Sequence, residues 1–297
     1  MKPAKIFQQY IWIVNTLRQY KRLSLEELKR LWVENKVIGG SPLDRTSFFR
    51  HKDAILNMFG IIIECDVAHG YKYYIANPEV LDDDSIERWM LSTLTVNTAL
   101  SDSVSLNDRI LLENVPAGEE YLQTIIEAIK SGHRLCIGYQ KFDAEGYEKT
   151  VCPYALKLFH QRWYLLARTD NAQMRIYALD RITTMKVANE TFEMPVGFSS
   201  EAYFDEYYGV LTDETPMAHI VIRTYGKTPN YLRTLPLHAS QREISTTPDY
   251  TDFELDIRPT SDFINALLSY GNGLEVLKPA DLRLKICKIL KESLNRY

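Results

Sequence analysis

The sequence predicts a multidomain α+β protein. Three observations carry that expectation. Residues 3–60 show apolar side chains at helical spacing, with cap residues between the runs. Residues 135–185 read as short strands separated by turn residues. Residues 218–295 alternate strand and helix patterns. A chain of 297 residues with 45% apolar content has material for two or three packed domains.

Composition excludes several classes. The four cysteines, Cys65, Cys136, Cys152 and Cys287, form no C-x-x-C pair. That argues against a zinc site and a disulfide framework, and fits a reducing cytoplasm. The apolar run Tyr10–Val14 is too short for a signal peptide or a membrane span, and no later run approaches one. The net charge of −4 is unevenly spread. Residues 1–76 hold 12 of the 35 Lys and Arg but only 7 of the 39 Asp and Glu. A basic first quarter on an acidic remainder suits a nucleic-acid-binding head on a soluble body.

In chain order, Ile6, Tyr10, Ile13, Val14 and Leu17 lie at helical spacing. Ser24 and Glu27 form a capping-box pair that opens a second helix, which stops at Gly39-Gly40. Ser41 as N-cap, with Pro42 and Asp44 behind it, starts a third helix. That helix buries Phe48, Ile55 and Phe59 and shows Arg45, Thr46, Arg50, Lys52 and Asn57 on its other faces. Ile61–Cys65 and Tyr71–Ile75 then flank a turn, as a hairpin wing would. Three helices, a Gly-containing turn before the third and a hairpin describe a helix-turn-helix. Residues 80–118 read as a helical connector or dimerisation surface, with Ile86, Trp89, Met90, Leu94, Leu100, Ile110 and Leu111 apolar. Asp82-Asp83-Asp84 reads as a helix-start charge run, since adjacent aspartates point apart.

Glu119–Lys130 is an amphipathic helix by spacing. Strands follow at Leu135–Lys141, Tyr147–Cys152 and Pro153–Phe159, the first two joined by a turn at Asp143–Gly146. Two more strands are expected at Arg162–Arg168 and Met174–Met185, joined by Thr169-Asp170-Asn171. Alternation puts Trp163, Leu165 and Ala167 on one apolar face, and Arg162 and Tyr164 on the other. If the two strands share a core through their apolar faces, Arg175 and Tyr177 join Arg162 and Tyr164 on a basic, aromatic surface. Such a surface suits an anion or a nucleic acid. Thr191–Gly209 is an aromatic linker expected to pack between domains. The last segment reads strand, helix, strand, strand, helix, strand, which is a ferredoxin-like order.

Trp163-Tyr164-Leu165, followed by Arg175-Ile176-Tyr177-Ala178-Leu179-Asp180-Arg181-Ile182, resembles the WYL domain of bacterial regulators. Pro153-Tyr154-Ala155-Leu156 resembles that family's preceding strand, and SYGNGLEVLKPADLR the extension that follows many WYL domains. The resemblance implies an SH3-like (Sm-like) β-barrel that binds a nucleic-acid or nucleotide effector. It also implies a DNA-binding winged helix-turn-helix upstream and a ferredoxin-like extension downstream. The expected divisions are residues 1–79 for the DNA-binding domain, 80–118 for the connector, and 119–195 for the WYL effector-sensing domain. Residues 196–212 make the linker and 213–297 the C-terminal extension. The expected DNA-binding residues are Arg45, Thr46, Arg50 and Lys52. The expected effector site is Tyr164, Arg175 and Arg181, with Lys157 and Arg162 as lesser members. Arg175 and Arg181 are six residues apart, roughly 20 Å along a straight strand. One small anion would reach both only if the strand bends.

No catalytic constellation is visible: no G-x-S-x-G, H-E-x-x-H, P-loop or G-x-G-x-x-G occurs. No enzyme activity, metal or cofactor is expected. Two functions fit. One is an effector-responsive transcription regulator, a cytoplasmic homodimer on double-stranded DNA. The alternative is a nucleic-acid-binding accessory or phage-defence protein without operator-specific regulation.

Overall fold

Apolar residues three and four apart place one stripe along the first helix, α1 (Pro3–Tyr20). In this computed structural model, which describes residues 3–35, 42–81, 85–101, 118–142 and 145–297, Tyr10, Ile13, Val14 and Leu17 of that stripe are buried. The chain divides into two compact units, Met1–Glu113 and Asn114–Tyr297. No helix of the described residues is long and apolar enough to cross a membrane.

In the first unit a short strand, β1 (Leu23–Ser24), leads into α2 (Leu25–Glu34). The expected capping box forms. Ser24 Oγ accepts from the Glu27 amide at 3.3 Å, and the Glu27 carboxylate accepts from the Ser24 amide at 2.7 Å. The third helix, α3 (Arg45–Phe59), starts later than expected. Its N-cap is Asp44, whose carboxylate accepts from the Ser47 amide at 2.6 Å. A carboxylate at this position satisfies a free N–H and meets the positive end of the helix dipole, so it takes the role expected of Ser41. Gly60 ends α3 in the left-handed conformation, φ 62°. Strands β2 (Ile63–Asp66) and β3 (Lys72–Ile75) complete an antiparallel sheet in the order β1-β3-β2. Helix α4 (Ile86–Ser101) adds Leu91 to the same core, while Ile86 and Trp89 stay exposed. The expected features at Gly39-Gly40, Ser41, Asp82-Asp83-Asp84, Ile110, Leu111 and Asp143 lie outside the described residues.

In the second unit, a 3-10 turn at Glu119–Tyr121 opens α5 (Leu122–Ser131). Five strands follow: β4 (His133–Tyr139), β5 (Tyr147–Phe159), β6 (Arg162–Thr169), β7 (Met174–Ala178) and β8 (Ile182–Thr191). They pair antiparallel in the order β7-β6-β5-β4-β8. The sheet is open rather than a closed barrel, because β7 and β8 are its two edges and do not pair. The run Met174–Met185 is not one strand. A 3-10 turn at Leu179–Arg181 breaks it, and the chain beyond crosses to β4, with Ile182 opposite Tyr139. Ile125 and Ala128 of α5 pack on Leu135, Ile137, Val151, Leu165 and Tyr177.

Register overturns the expected surface. Leu165 stands opposite Tyr177, Ala167 opposite Arg175, and Tyr164 opposite Ala178. Cross-strand partners share a face. Tyr177 therefore lies with Leu165 in the core, and Arg175 leaves its strand on the side of Ala167, although from this edge position it still lines a groove with Tyr164. Alternation along each strand was legible; the phase between strands is set by the turn, and a one-residue change inverts it.

Helix α6 (Ser200–Phe204) lies in the linker. Then come β9 (Ala218–Tyr225), α7 (Thr228–Thr234), β10 (Arg242–Thr246), β11 (Tyr250–Ile257), α8 (Ser261–Ser269), β12 (Leu274–Lys278) and α9 (Ala280–Leu294). The strands form an antiparallel sheet in the order β10-β11-β9-β12. Ile222, Phe253 and Leu255 of this sheet bury against Phe263 and Leu267 of α8 and Leu282 of α9.

Candidate functional site

The edge strand β7 has a groove on each side. The larger, about 780 Å³, is floored by Tyr139, Tyr147 and Tyr177. Lys141, Lys149, Arg175 and Arg181 bring four cations to it, and none of the described residues lining it is acidic. Hairpin geometry builds this floor. Tyr139 stands opposite Tyr147, and Ile137 opposite Lys149, across β4 and β5. The Tyr139 ring meets Tyr177 edge-on at 5.1 Å and Tyr147 at 6.0 Å. Tyr139 Oη also accepts from the Ala178 amide at 3.2 Å, which fixes the ring against β7. The Arg181 guanidinium lies 3.6 Å over the exposed Phe142 ring, and Lys141 Nζ 5.6 Å over Tyr147.

The second groove, about 450 Å³, takes Tyr164, Ile176 and Ala178 on one wall and Val210, Leu211, Thr212 and Asp262 on the other. Arg175 and Arg181 line both grooves. The 3-10 turn supplies the bend that lets two arginines six residues apart serve one site. Arg175 is exposed and donates to Gln173 Oε1 at 2.9 Å. Arg181 Nε is buried and makes no hydrogen bond. Burial pushes the Tyr164 phenol upward and that of Tyr177 to about 12. Both stay protonated at neutral pH.

Of the five residues expected at the effector site, the structure brings Tyr164, Arg175 and Arg181 together in the smaller groove. Lys157 and Arg162 line neither groove. Lys157 Nζ donates to the Gly209 carbonyl at 2.7 Å and lies 4.1 Å over the Phe204 ring. Its burial lowers its pKa to about 8, partly offset by Asp262. Arg162 pairs with Asp180 at 3.3 Å. Sequence reasoning missed Tyr139, Lys141, Phe142, Tyr147 and Lys149. A signal was present: Tyr139-x-Lys141 and Tyr147-x-Lys149 repeat across the turn at 143–146.

In the first unit, α3 buries Phe48, His51, Ile55 and Phe59. Thr46, Arg50, Asp53 and Asn57 fall on the opposite face and are exposed. Arg45 is exposed and lies 5.8 Å over the Phe49 ring; Lys52 is half-buried at the margin. His51 stacks on Trp32 with ring centroids 6.2 Å apart. Burial, then the neighbouring Arg50, hold its imidazole below the ordinary 6.5. Among the described residues, no group of three or more His, Cys, Asp or Glu side chains is placed to hold a metal ion.

Residues 120–187, which contain the floor of the larger groove and both bridging arginines, match the WYL domain model. The chain therefore carries a WYL domain. Its WYL domain is followed by a WCX domain, matched over residues 216–294 and so spanning β9 to α9. Among solved structures, the chain is similar to proteasome accessory factor B/C (PafBC) of Arthrobacter aurescens, at 20% identity and a TM-score of 0.37. That match covers 95% of this chain, which spans only 46% of the PafBC chain. A CRISPR Cas-related protein matches at 14% identity and a TM-score of 0.41, over 99% of this chain and 85% of its own. No curated protein matches the chain.

Proposed function

We propose that this WYL-domain protein is a DNA-binding transcription regulator whose WYL domain senses an anionic effector, a nucleic acid or a nucleotide. One observation carries the reading: the larger groove sets four cations around three tyrosines, with no acid among its described lining residues. Arginine holds phosphate through two parallel hydrogen bonds, and aromatic rings stack on bases. A ligand carrying both phosphates and bases uses every group in the groove. A volume of about 780 Å³, with two of its four cations shared across β7, favours a short single strand over a mononucleotide.

The first unit supplies the DNA-reading head on this reading. Helices α1 to α3 and the β2–β3 hairpin make a winged helix-turn-helix, with α3 presented to the major groove. Arg45, Thr46, Arg50 and Lys52 meet base edges and phosphates. Strands β4 to β8 make the sensor sheet. The C-terminal strand order, 2-3-1-4 in chain sequence, supports a ferredoxin-like extension. A cytoplasmic homodimer presents two heads to half-sites about 10 base pairs apart.

The deciding experiment measures binding of the full chain to its own promoter duplex and to bulk duplex at fixed salt, with and without short single-stranded DNA. Preference for the promoter, altered by the single strand, is the expected result. Equal affinity for both duplexes, unmoved by the single strand, overturns the regulator.

A further inference from the structure

The smaller groove has a wall that no WYL strand provides. Val210, Leu211, Thr212 and Asp262 face Tyr164, Arg175 and Arg181 across it. Residues 209–212 belong to the chain between the WYL and WCX domains, and Asp262 sits in the first turn of α8. This stretch is fastened from both sides. From β5, Lys157 Nζ donates to the Gly209 carbonyl at 2.7 Å. From α8, Asp262 Oδ2 accepts from the Val210 and Leu211 amides at 3.0 and 3.1 Å. The other oxygen of the same carboxylate accepts from the Phe263 amide at 2.9 Å and from the Thr260 hydroxyl. One carboxylate thus ties the stretch to the start of α8.

Gly209 is at the crossing point. A Cβ there would run into the Asp262 carboxylate and approach the Phe159 ring to 2.8 Å. Only glycine lets the backbone pass between β5 and α8 at this depth. Besides Gly209, the Lys157 ammonium lies 4.1 Å over Phe204 of α6, so it holds the chain between the two domains at two points. A half-buried lysine that reaches no groove has its ordering cost offset by what it holds.

We infer that residues 209–212 are a strap closing one side of the smaller groove, which shares Arg175 and Arg181 with the effector groove, that Lys157 and Asp262 hold the strap in place, and that it links ligand occupancy to the WCX domain. The inference rests on the effector reading above and names its route of regulation. A ligand on Arg175 and Arg181 that also presses on Val210 and Leu211 favours the strap in its held position. By reciprocity, a loosened strap weakens the ligand. Lys157 is a positioning residue in this arrangement, not a ligand contact.

The test uses the full chain, fluorescent short single-stranded DNA at fixed salt, and amide hydrogen exchange over residues 209–212. The variants are Lys157→Met and Gly209→Ala. Methionine keeps the length and apolar stem of lysine without its donor. In the parent, oligonucleotide should slow exchange at Val210 and Leu211. Both variants should speed exchange there in the free protein and weaken the oligonucleotide about fivefold or more, with the salt slope unchanged because no phosphate contact is lost. A role confined to stability would lower Tm and leave affinity alone. Unchanged affinity in both variants overturns the strap, whether or not exchange rises, because the ligand is then held without it. If the parent itself binds no oligonucleotide, the effector reading falls and the strap's role as its wall falls with it.

Discussion

Two basic surfaces, one in each unit, differ in almost every physical respect. On α3 the cations stand on a convex helix face, with Asp53 and Asn57 among them and one ring, Phe49, under Arg45. In the WYL domain they ring a concave groove floored by tyrosines, with no acid among its described lining residues. A convex face with mixed donors and acceptors fits the major groove, where base edges present both. A concave basic and aromatic groove fits a flexible strand whose bases can turn inward to stack. Net charge does not distinguish the two. The acceptors beside the cations and the shape under them do.

The contrast can be broken most sharply at Arg175. It is exposed and bonded to Gln173, so Arg175→Glu should leave Tm nearly unchanged. Placing a carboxylate against phosphate costs several kcal/mol, so binding of short single strands should be lost. Titration at low salt checks this; parental affinity with a parental salt slope would remove the groove from consideration. Arg50→Ala tests the other surface. It should weaken promoter binding by roughly 1–3 kcal/mol and leave single-strand binding intact. Loss of both together would mean that the surfaces are not separate sites.

A smaller effect is expected for Arg181→Lys. Charge is kept, but the bidentate fork is lost and the contact over Phe142 weakens, for about 1 kcal/mol in oligonucleotide affinity. An affinity equal to the parent's would show that Arg181 serves only as a point charge. Arg162→Ala should cost roughly 0–1 kcal/mol of stability, since its pair with Asp180 is partly solvated. Oligonucleotide affinity should not change; a clear drop would return Arg162 to the ligand site.

Acid gives the mildest separation. His51 has its folded pKa held below 6.5, so the unfolded chain takes up the proton first as pH falls. Stability from the neutral imidazole is therefore complete above about 6.5 and declines below it. Lys157 works in another window. Its folded pKa of about 8 lies under the ordinary 10.5, so the cost of burying its charge is present below about pH 8 and fades toward 10.5. Thermal melts from pH 5 to 7 should show a slope in the parent that His51→Phe reduces. An identical slope in the variant would rule out His51 as its source.

Much of this molecule was written locally. Helical spacing placed Tyr10, Ile13, Val14 and Leu17 in a core, and the Ser24–Glu27 box formed because both partners lie within one turn. The strand-helix order of the last eighty residues was legible for the same reason: period and punctuation are properties of neighbouring residues. The WYL run also marked Tyr164, Arg175 and Arg181 as companions. What the sequence left undecided were relations between segments. The turn after Thr169 set the phase that sent Tyr177 inward. A three-residue turn after Ala178 carried β8 to β4 and left the sheet open. Lys157, on a strand facing the expected site, was taken by the carbonyl of Gly209, 52 residues away. Alternation and spacing fix which way a side chain points along its own strand; which partner meets it depends on register and on distant chain, and only packing the whole fold decides those.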